Sequence, residues 1–484
     1  MQRTAPASSR GWPLALAVLA LAGCATPPES ATTANNVILF VGDGMGMSTV
    51  TAARIYDGQT RGEPGEENLL SFERFPNVAL VKTYNSNQQV PDSAGTATAM
   101  HTGVKTRAGV LGIGPETARR DCIAARGGEL SNIADEVKAR GKALGIVTTT
   151  RITHATPAAV YAHLPERDWE ADEFFTDAHR AAGCVDIARQ FVDLPLETAP
   201  DITLGGGWRA FRSSADGGSR VTAGEDLVAE WLAGASGRQF VSERGQLAGL
   251  DAGGAVLGLF ARSHMDYEVL READTTQPTL EEMTAAAVDY LESKDSGYYL
   301  LVEGGRIDHG HHAGQPGLAL TETQAFARAV SAALDRVDLS ETLILVTADH
   351  SHVFTLAGYP TRGNDILGLV VGNDRRGEPK TEPTLAADGQ PYTTVGYANG
   401  PNAVAGGPRP RPDTGLLAVA QSTVPVVFEI VTGERIYDET HSGEDVALYA
   451  TGPGSERVRG VIEQNLIYDI MLAAYGWPDP GNRR

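Results

Sequence analysis

The sequence predicts an α/β protein built on a large, mostly parallel central sheet flanked by helices. Three observations carry that reading. Val37–Val41, Ala143–Thr148, Tyr298–Val302 and Thr342–Thr347 are short, continuous apolar runs, the pattern of strands buried on both faces. Segments of helical period lie between them. Each run is closely followed by acidic or histidine side chains, where open α/β sheets place their ligand-binding groups.

In chain order, the first 23 residues read as a leader. Arg3 and Arg10 supply positive charge, and Trp12–Leu21 is apolar but too short to span a membrane as a mature helix. Leu21-Ala22-Gly23-Cys24 resembles the lipobox of bacterial lipoproteins, in which the cysteine is lipidated and becomes the first mature residue. The alternative is ordinary secretory cleavage nearby. Residues 24–35, rich in Thr, Ala and Pro, read as a tether. The expected location is the bacterial outer membrane or the periplasmic face.

Residues 36–476 form the expected main domain. Its first strand ends at Gly42-Asp43-Gly44-Met45-Gly46, which fails the dinucleotide pattern because Met stands at position 47. Residues 57–68 read as a loop. Before the small-residue run that follows, Asp92 or Ser93 is a good helix cap. Helices are expected over Glu129–Arg140, Asp168–Ala181, Val185–Phe191, near Glu225–Leu232, and over Leu280–Glu292, Leu318–Val337 and Val458–Tyr475. Asp201–Leu204 and Ala255–Phe260 read as further strands. Residues 361–438, rich in Gly, Pro and Thr, break the alternation and read as an inserted sub-domain with β-like runs at Leu367–Val371 and Pro425–Ile430.

Composition narrows the function. At 484 residues the chain can bury a large core, and its formal charge of −21 disfavours nucleic acid as a partner. A local metal site can still attract phosphate. Of the three cysteines, lipidation of Cys24 leaves Cys122 and Cys184 as an even pair, and export to an oxidising compartment favours a disulfide between them.

The densest chemistry is Glu303-Gly304-Gly305-Arg306-Ile307-Asp308-His309-Gly310-His311-His312. Carboxylate and imidazole together suit a borderline divalent ion such as zinc. Asp308 and His312, at i and i+4, would face one ion from a single helical turn. Asp43, Ser93, His154 with Thr156, Asp349 with His350, and His441 supply the same residue types after other strands. A two-metal phosphoryl-transfer site uses such a set, with a guanidinium such as Arg167 to clamp phosphate oxygens.

Taken together, Val41–Gly46, Pro91–Thr98, Thr148–Pro157, Glu303–His312, Thr347–His352 and Thr440–Asp445 resemble the alkaline phosphatase family, from about Asn36 to Gly476. The resemblance implies that family's fold with a crown-like insertion at 361–438. It implies Ser93 as nucleophile and Arg167 as phosphate clamp. One zinc would be held by Asp308, His312 and His441, and a second by Asp349, His350 and a bridging Asp43. Magnesium would take Asp43, Thr156 and Glu303. His154 and His309 match positions that are histidine in the animal branch, beside the ions rather than on them. The animal calcium site is not expected, because Ala261 and Gln277 replace its acidic ligands. Phosphate monoesters are the implied substrates, and a homodimer the implied assembly.

Three other readings compete. A serine acyl hydrolase needs G-x-S-x-G, which fails at Ser93 because Pro91 takes the first glycine's place. A related metal-dependent phosphodiesterase or sulfatase would share the Asp and His ligands. A catalytically inactive lipoprotein binding module would keep the fold and lose ligands, yet every ligand type is present.

Overall fold

A computed structural model describes residues 33–478, apart from 405–406, 426 and 430–434. The leader, Cys24 and the tether through residue 32 lie outside the described residues. The described residues all belong to one compact unit.

Its centre is a ten-stranded sheet. From one edge the order is Gly460–Glu463, Asn77–Lys82, Val446–Thr451, Thr342–Ala348, Asn36–Gly42, Tyr298–Gly304, Ala143–Arg151, Ile202–Gly206, Val256–Leu259 and Gln239–Val241. Val446–Thr451 runs antiparallel to both its neighbours, and the other pairings are parallel. Every residue of the three central strands is buried. That is why they read as unbroken apolar runs, and each buried Val, Leu or Ile contributes roughly 1.5–3 kcal/mol. Val41 pairs with both Glu303 and Thr347, and Thr148 also pairs with Glu303. The carboxyl ends of four parallel strands are therefore level, and whatever follows them converges.

Several elements differ from the sequence expectation. Val458–Tyr475 is an edge strand, Gly460–Glu463, followed by a helix, Leu466–Ala474. Gly460 and the β-branched Val461-Ile462 fit the free edge beside Asn77–Lys82 better than a helix start. Asp168–Ala181 is not one helix but a 3-10 turn, Asp172–Phe174, and a separate short helix. Its α-helix is Asp177–Ala181, started afresh by Thr176, whose side chain accepts from the His179 backbone. The helix expected from Glu129 begins at Ile133, because Asn132 caps it and Glu129 bridges to Ile113 instead. The long helix Met47–Thr60 extends into the expected loop at 57–68, and it was masked in sequence by threonine and alanine among its few large apolar residues.

In the 361–438 region, Val395–Asn399 pairs with Phe354–Leu356 and Ser422–Val424, and Val427–Glu429 pairs with Arg435–Tyr437. Leu367–Val371 forms only an isolated bridge, Leu369 to Thr393. Among the described residues, no helix is long and apolar enough to cross a membrane.

Candidate metal centre and nucleophile

Four stretches meet at the level strand ends. Asp43 follows the first strand in a tight turn at Gly44, where φ is +70°. A Cβ on Gly44 would lie 2.5 Å from the His352 ring, so the turn needs glycine both for its backbone and for space. Asp349 and His350 follow the neighbouring strand. Glu303 lies within its own strand, and the two-turn helix Arg306–His312 carries Asp308 and His312 on one face. His441 arrives from far along the chain on a two-residue strand paired with Ser351–His352.

Ser93 is the first residue of the buried helix Ser93–Thr102, capped by Asp92, whose side chain accepts from the backbone of Ala94 and Gly95. The small residues of this helix let it pack with all ten positions buried. Ser93 Oγ lies 3.2 Å from His350 Nε2 and 3.5 Å from Asp43 Oδ1.

Among the described residues, three sets of side chains bring one ligand atom each to within 4.8 Å of one another: Asp308, His312, His352 and His441; Asp43, Asp308 and His350; and Asp43, His154 and Glu303. The first contains the trio expected from sequence, with His352 added. In the second, Asp308 stands where Asp349 was expected. Asp349 Oδ1 accepts from the Gly44 and His350 backbones, and its Oδ2 accepts from Thr96 and lies 3.2 Å from His350 Nε2. In the third, His154 joins Asp43 and Glu303. Thr156 Oγ1, also expected there, is buried without a hydrogen-bond partner.

The donor set fits cations. His312 Nδ1 donates to the Glu439 carbonyl at 2.7 Å and His441 Nδ1 to the Pro91 carbonyl at 2.8 Å. Those bonds leave a lone pair on each Nε2, and the two Nε2 atoms lie 3.1 Å from each other and each 3.4 Å from Asp308 Oδ1. Asp43 Oδ2 and Glu303 Oε1 are buried without partners, while Glu303 Oε2 is pinned by the Thr148 and Thr150 hydroxyls. Burial, and then repulsion from Asp349, Asp308 and Glu303, pushes the Asp43 carboxyl well up. Burial likewise pushes Glu303 up to about 7. Such a carboxylate cluster stays ionised only with positive charge among it.

Arg167 is held by Asp92 Oδ2 at 3.1 Å and by His154 Nε2 at 3.2 Å. The cluster meets solvent through the side chains of Arg167 (19% exposed), His309 (19%), His312 (27%) and His441 (16%), so an anion reaches it from that side.

Two features had no assignment from sequence. His352 bridges Asp308 Oδ1 at 2.8 Å and Glu439 Oε2 at 2.5 Å. His264 packs 4.2 Å from the His309 ring and 5.4 Å from that of His154. Each of these three rings accepts from an arginine: His154 from Arg167, His264 from Arg151, and His309 from Arg306. An arginine only donates, so all three rings are neutral, and burial lowers each pKa, that of His309 to about 3. His264 sits in a loop with no motif around it, and its neighbours come from other strands, so no local signal marks it. His311, within the histidine-rich stretch, is turned away between Thr49 and Tyr397. Cys122 and Cys184 form a disulfide, with Cα atoms 5.8 Å apart.

The alkaline phosphatase family model matches residues 34–476. Tissue-nonspecific alkaline phosphatase of Gallus gallus is 44% identical over 461 residues, covering 91% of this chain and 84% of the bird protein. The Homo sapiens isozyme is 42% identical over 458 residues, covering 91% and 83%. The solved alkaline phosphatase of the Antarctic bacterium TAB5 shares the fold, with a TM-score of 0.62 at 22% identity, covering 93% of this chain and 100% of that one. With a family match across nearly the whole described chain, and relatives above 40% identity over 91% of it, the chain belongs to the alkaline phosphatase family.

Proposed function

We propose that this chain hydrolyses phosphate monoesters through a phosphoserine formed on Ser93, at a centre that takes two zinc ions and one magnesium. The observation that supports this is the contact of Ser93 Oγ with His350 Nε2 and Asp43 Oδ1, a serine hydroxyl against the buried Asp and His cluster. Asp308, His312 and His441 would hold one zinc, Asp349, His350 and Asp43 the other, and Asp43, Thr156 and Glu303 the magnesium. When bound, the ions supply charge that lowers the pKa of a coordinated hydroxyl and neutralises developing negative charge on oxygen. Calcium is not expected, since Ala261 and Gln277 stand where its acidic ligands would, and Gln277 is engaged with Asp266.

The side chains then divide the work. Arg167, steadied by Asp92 and His154, keeps further N–H groups for two phosphate oxygens. Ser93 Oγ attacks phosphorus and the ester oxygen leaves. Water then attacks the phosphoserine, and two in-line displacements retain configuration at phosphorus. His309, its Nδ1 taken by Arg306, keeps an N–H on Nε2, from where it tunes product release.

Export with a lipid on Cys24 and assembly as a homodimer complete the proposal. Fatty-acid labelling lost in Cys24→Ser tests the first, and sedimentation of the purified chain tests the second. The central test is Ser93→Ala. We expect loss of at least about 10³-fold in aryl-phosphate turnover with zinc content kept. Rapid quenching should trap phosphate on the peptide containing Ser93 in the unmodified enzyme only. Turnover of Ser93→Ala near the parent rate would sink the mechanism. Faster hydrolysis of a diester or a sulfate ester than of a monoester would favour the related-hydrolase reading instead.

A further inference from the structure

We propose that Glu166 is a positioning residue for the phosphate grip of Arg167, locked in place by Arg119 and Arg120 on the loop tied by the Cys122–Cys184 disulfide. The inference rests on the reading of Arg167 as the phosphate clamp.

Glu166 immediately precedes Arg167 and is fully buried. A carboxylate in that position must be paired. Arg119 grips it with a two-pronged fork, Nη2 to Oε1 at 2.6 Å and Nε to Oε2 at 3.0 Å. Arg120 Nε adds a bond to Oε2 at 2.5 Å, and the Asp168 backbone donates to Oε1 at 3.2 Å. The two guanidiniums cover the carboxylate from the solvent side, their side chains 42% and 53% exposed.

The same loop holds Arg167 at both ends. Leu111 and Leu164 exchange backbone hydrogen bonds of 2.9 Å, and the Arg120 backbone donates to the Pro165 carbonyl at 2.9 Å. The Arg167 N–H donates to the Gly109 carbonyl at 2.9 Å. The Gly109 N–H in turn donates to Asp92 Oδ2 at 2.9 Å, the oxygen that also receives the Arg167 guanidinium. Backbone and guanidinium of Arg167 are thus both referenced to Gly109. Arg119 packs against that glycine, where a Cβ would come within 2.3 Å of its Nε. Arg120 adopts a left-handed backbone, φ +68°, which a residue with a Cβ keeps only when its surroundings over-determine it. Cys122, two residues on, fastens the loop to Cys184, downstream of Arg167.

A loosened Arg167 weakens every phosphate complex, substrate and product alike, more than it changes the displacement. The test uses the full, metal-loaded enzyme and reads kcat and KM for an aryl phosphate together with Ki for inorganic phosphate. For Glu166→Gln, KM and Ki should rise together by about tenfold, with kcat within about threefold of the parent. Arg119→Lys keeps the charge but loses the fork, and should raise both by a smaller factor. Cys122→Ser with Cys184→Ser leaves Glu166 intact and should also raise Ki. If Glu166→Gln does not fold, these last two variants decide. Unchanged Ki in the folded variants overturns the proposal, as does a fall in kcat alone. Arg167→Ala separates the two readings. If it raises Ki while the Glu166 and Arg119 variants do not, only the brace fails; if it leaves Ki unchanged, the clamp fails and the brace with it.

Discussion

Acid should destabilise this protein through His101 independently of any loss of metal. His101 sits in the last turn of the helix that begins at Ser93, and it is fully buried. Its Nδ1–H donates to the Ala97 carbonyl at 2.8 Å, and its Nε2 accepts from the Tyr299 hydroxyl at 2.9 Å. Both nitrogens are satisfied in the neutral ring, and protonation adds a buried charge with no carboxylate to meet it. Burial accordingly pushes the group from 6.5 down to about 4. The folded pKa is depressed, so over that window the unfolded chain binds a proton that the folded chain refuses. The contribution is complete above about pH 6.5, declines as pH falls, and is gone below about 4. The drop from 6.5 to about 4, at about 1.4 kcal/mol per pH unit, makes this about 3.5 kcal/mol in full and about 3 kcal/mol by pH 4. The assay is urea unfolding from pH 8 to 4 in chelator, so that proton-driven release of metal does not enter. His101→Gln cannot titrate, and other buried histidines contribute equally to both proteins. Parent stability should therefore fall about 3 kcal/mol further than that of the variant across the window. Parallel pH profiles would refute the reasoning, whatever the variant's absolute stability.

Three further outcomes are expected. Gly44→Ala forces a Cβ against the His352 ring and a left-handed backbone onto alanine, so zinc content and activity should fall together, activity by about 10²-fold; near-parental activity would show that the turn yields. His352→Ala leaves Asp308 and Glu439 without their shared partner and should weaken zinc binding by about 10–100-fold in competition with a chelating dye. Chelation should lower the melting temperature and added zinc restore it, because binding only the folded state stabilises by mass action and relieves repulsion among Asp43, Asp349 and Glu303; an unchanged melting temperature would argue against a resident ion.

The central fold was legible because its strands are buried on both faces. Asn36–Gly42 and Tyr298–Gly304 announce themselves as apolar runs, and their polar successors mark the site. Legibility failed where burial is partial. Gly460–Glu463 lies at a sheet edge with exposed Val461, and without a buried face it carried no strand pattern. At the site, Asp308 and His312 declare themselves through their helical spacing. His264, His352 and Glu439 depend on contacts between distant segments, which no local motif records. Glu166 gave no signal either, since an isolated glutamate before an arginine is ordinarily a solvated pair.

The two-residue pairing that brings His441 beside His352 bears on how the protein matures. His312 and His441 are 129 residues apart, with the whole 361–438 segment between them. A nascent chain that has released everything through His312 holds two of the three residues proposed for the first zinc, Asp308 and His312, and His441 is still unsynthesised. Joining ends so far apart is entropically costly before any contact rewards it. On the proposed ligand set, metal capture at that position would be a late event, possible only once the intervening segment has turned back on itself. A chain interrupted anywhere before residue 441 would leave its ribosome unable to complete the centre, and the enzyme's activity reports on chains that have finished folding.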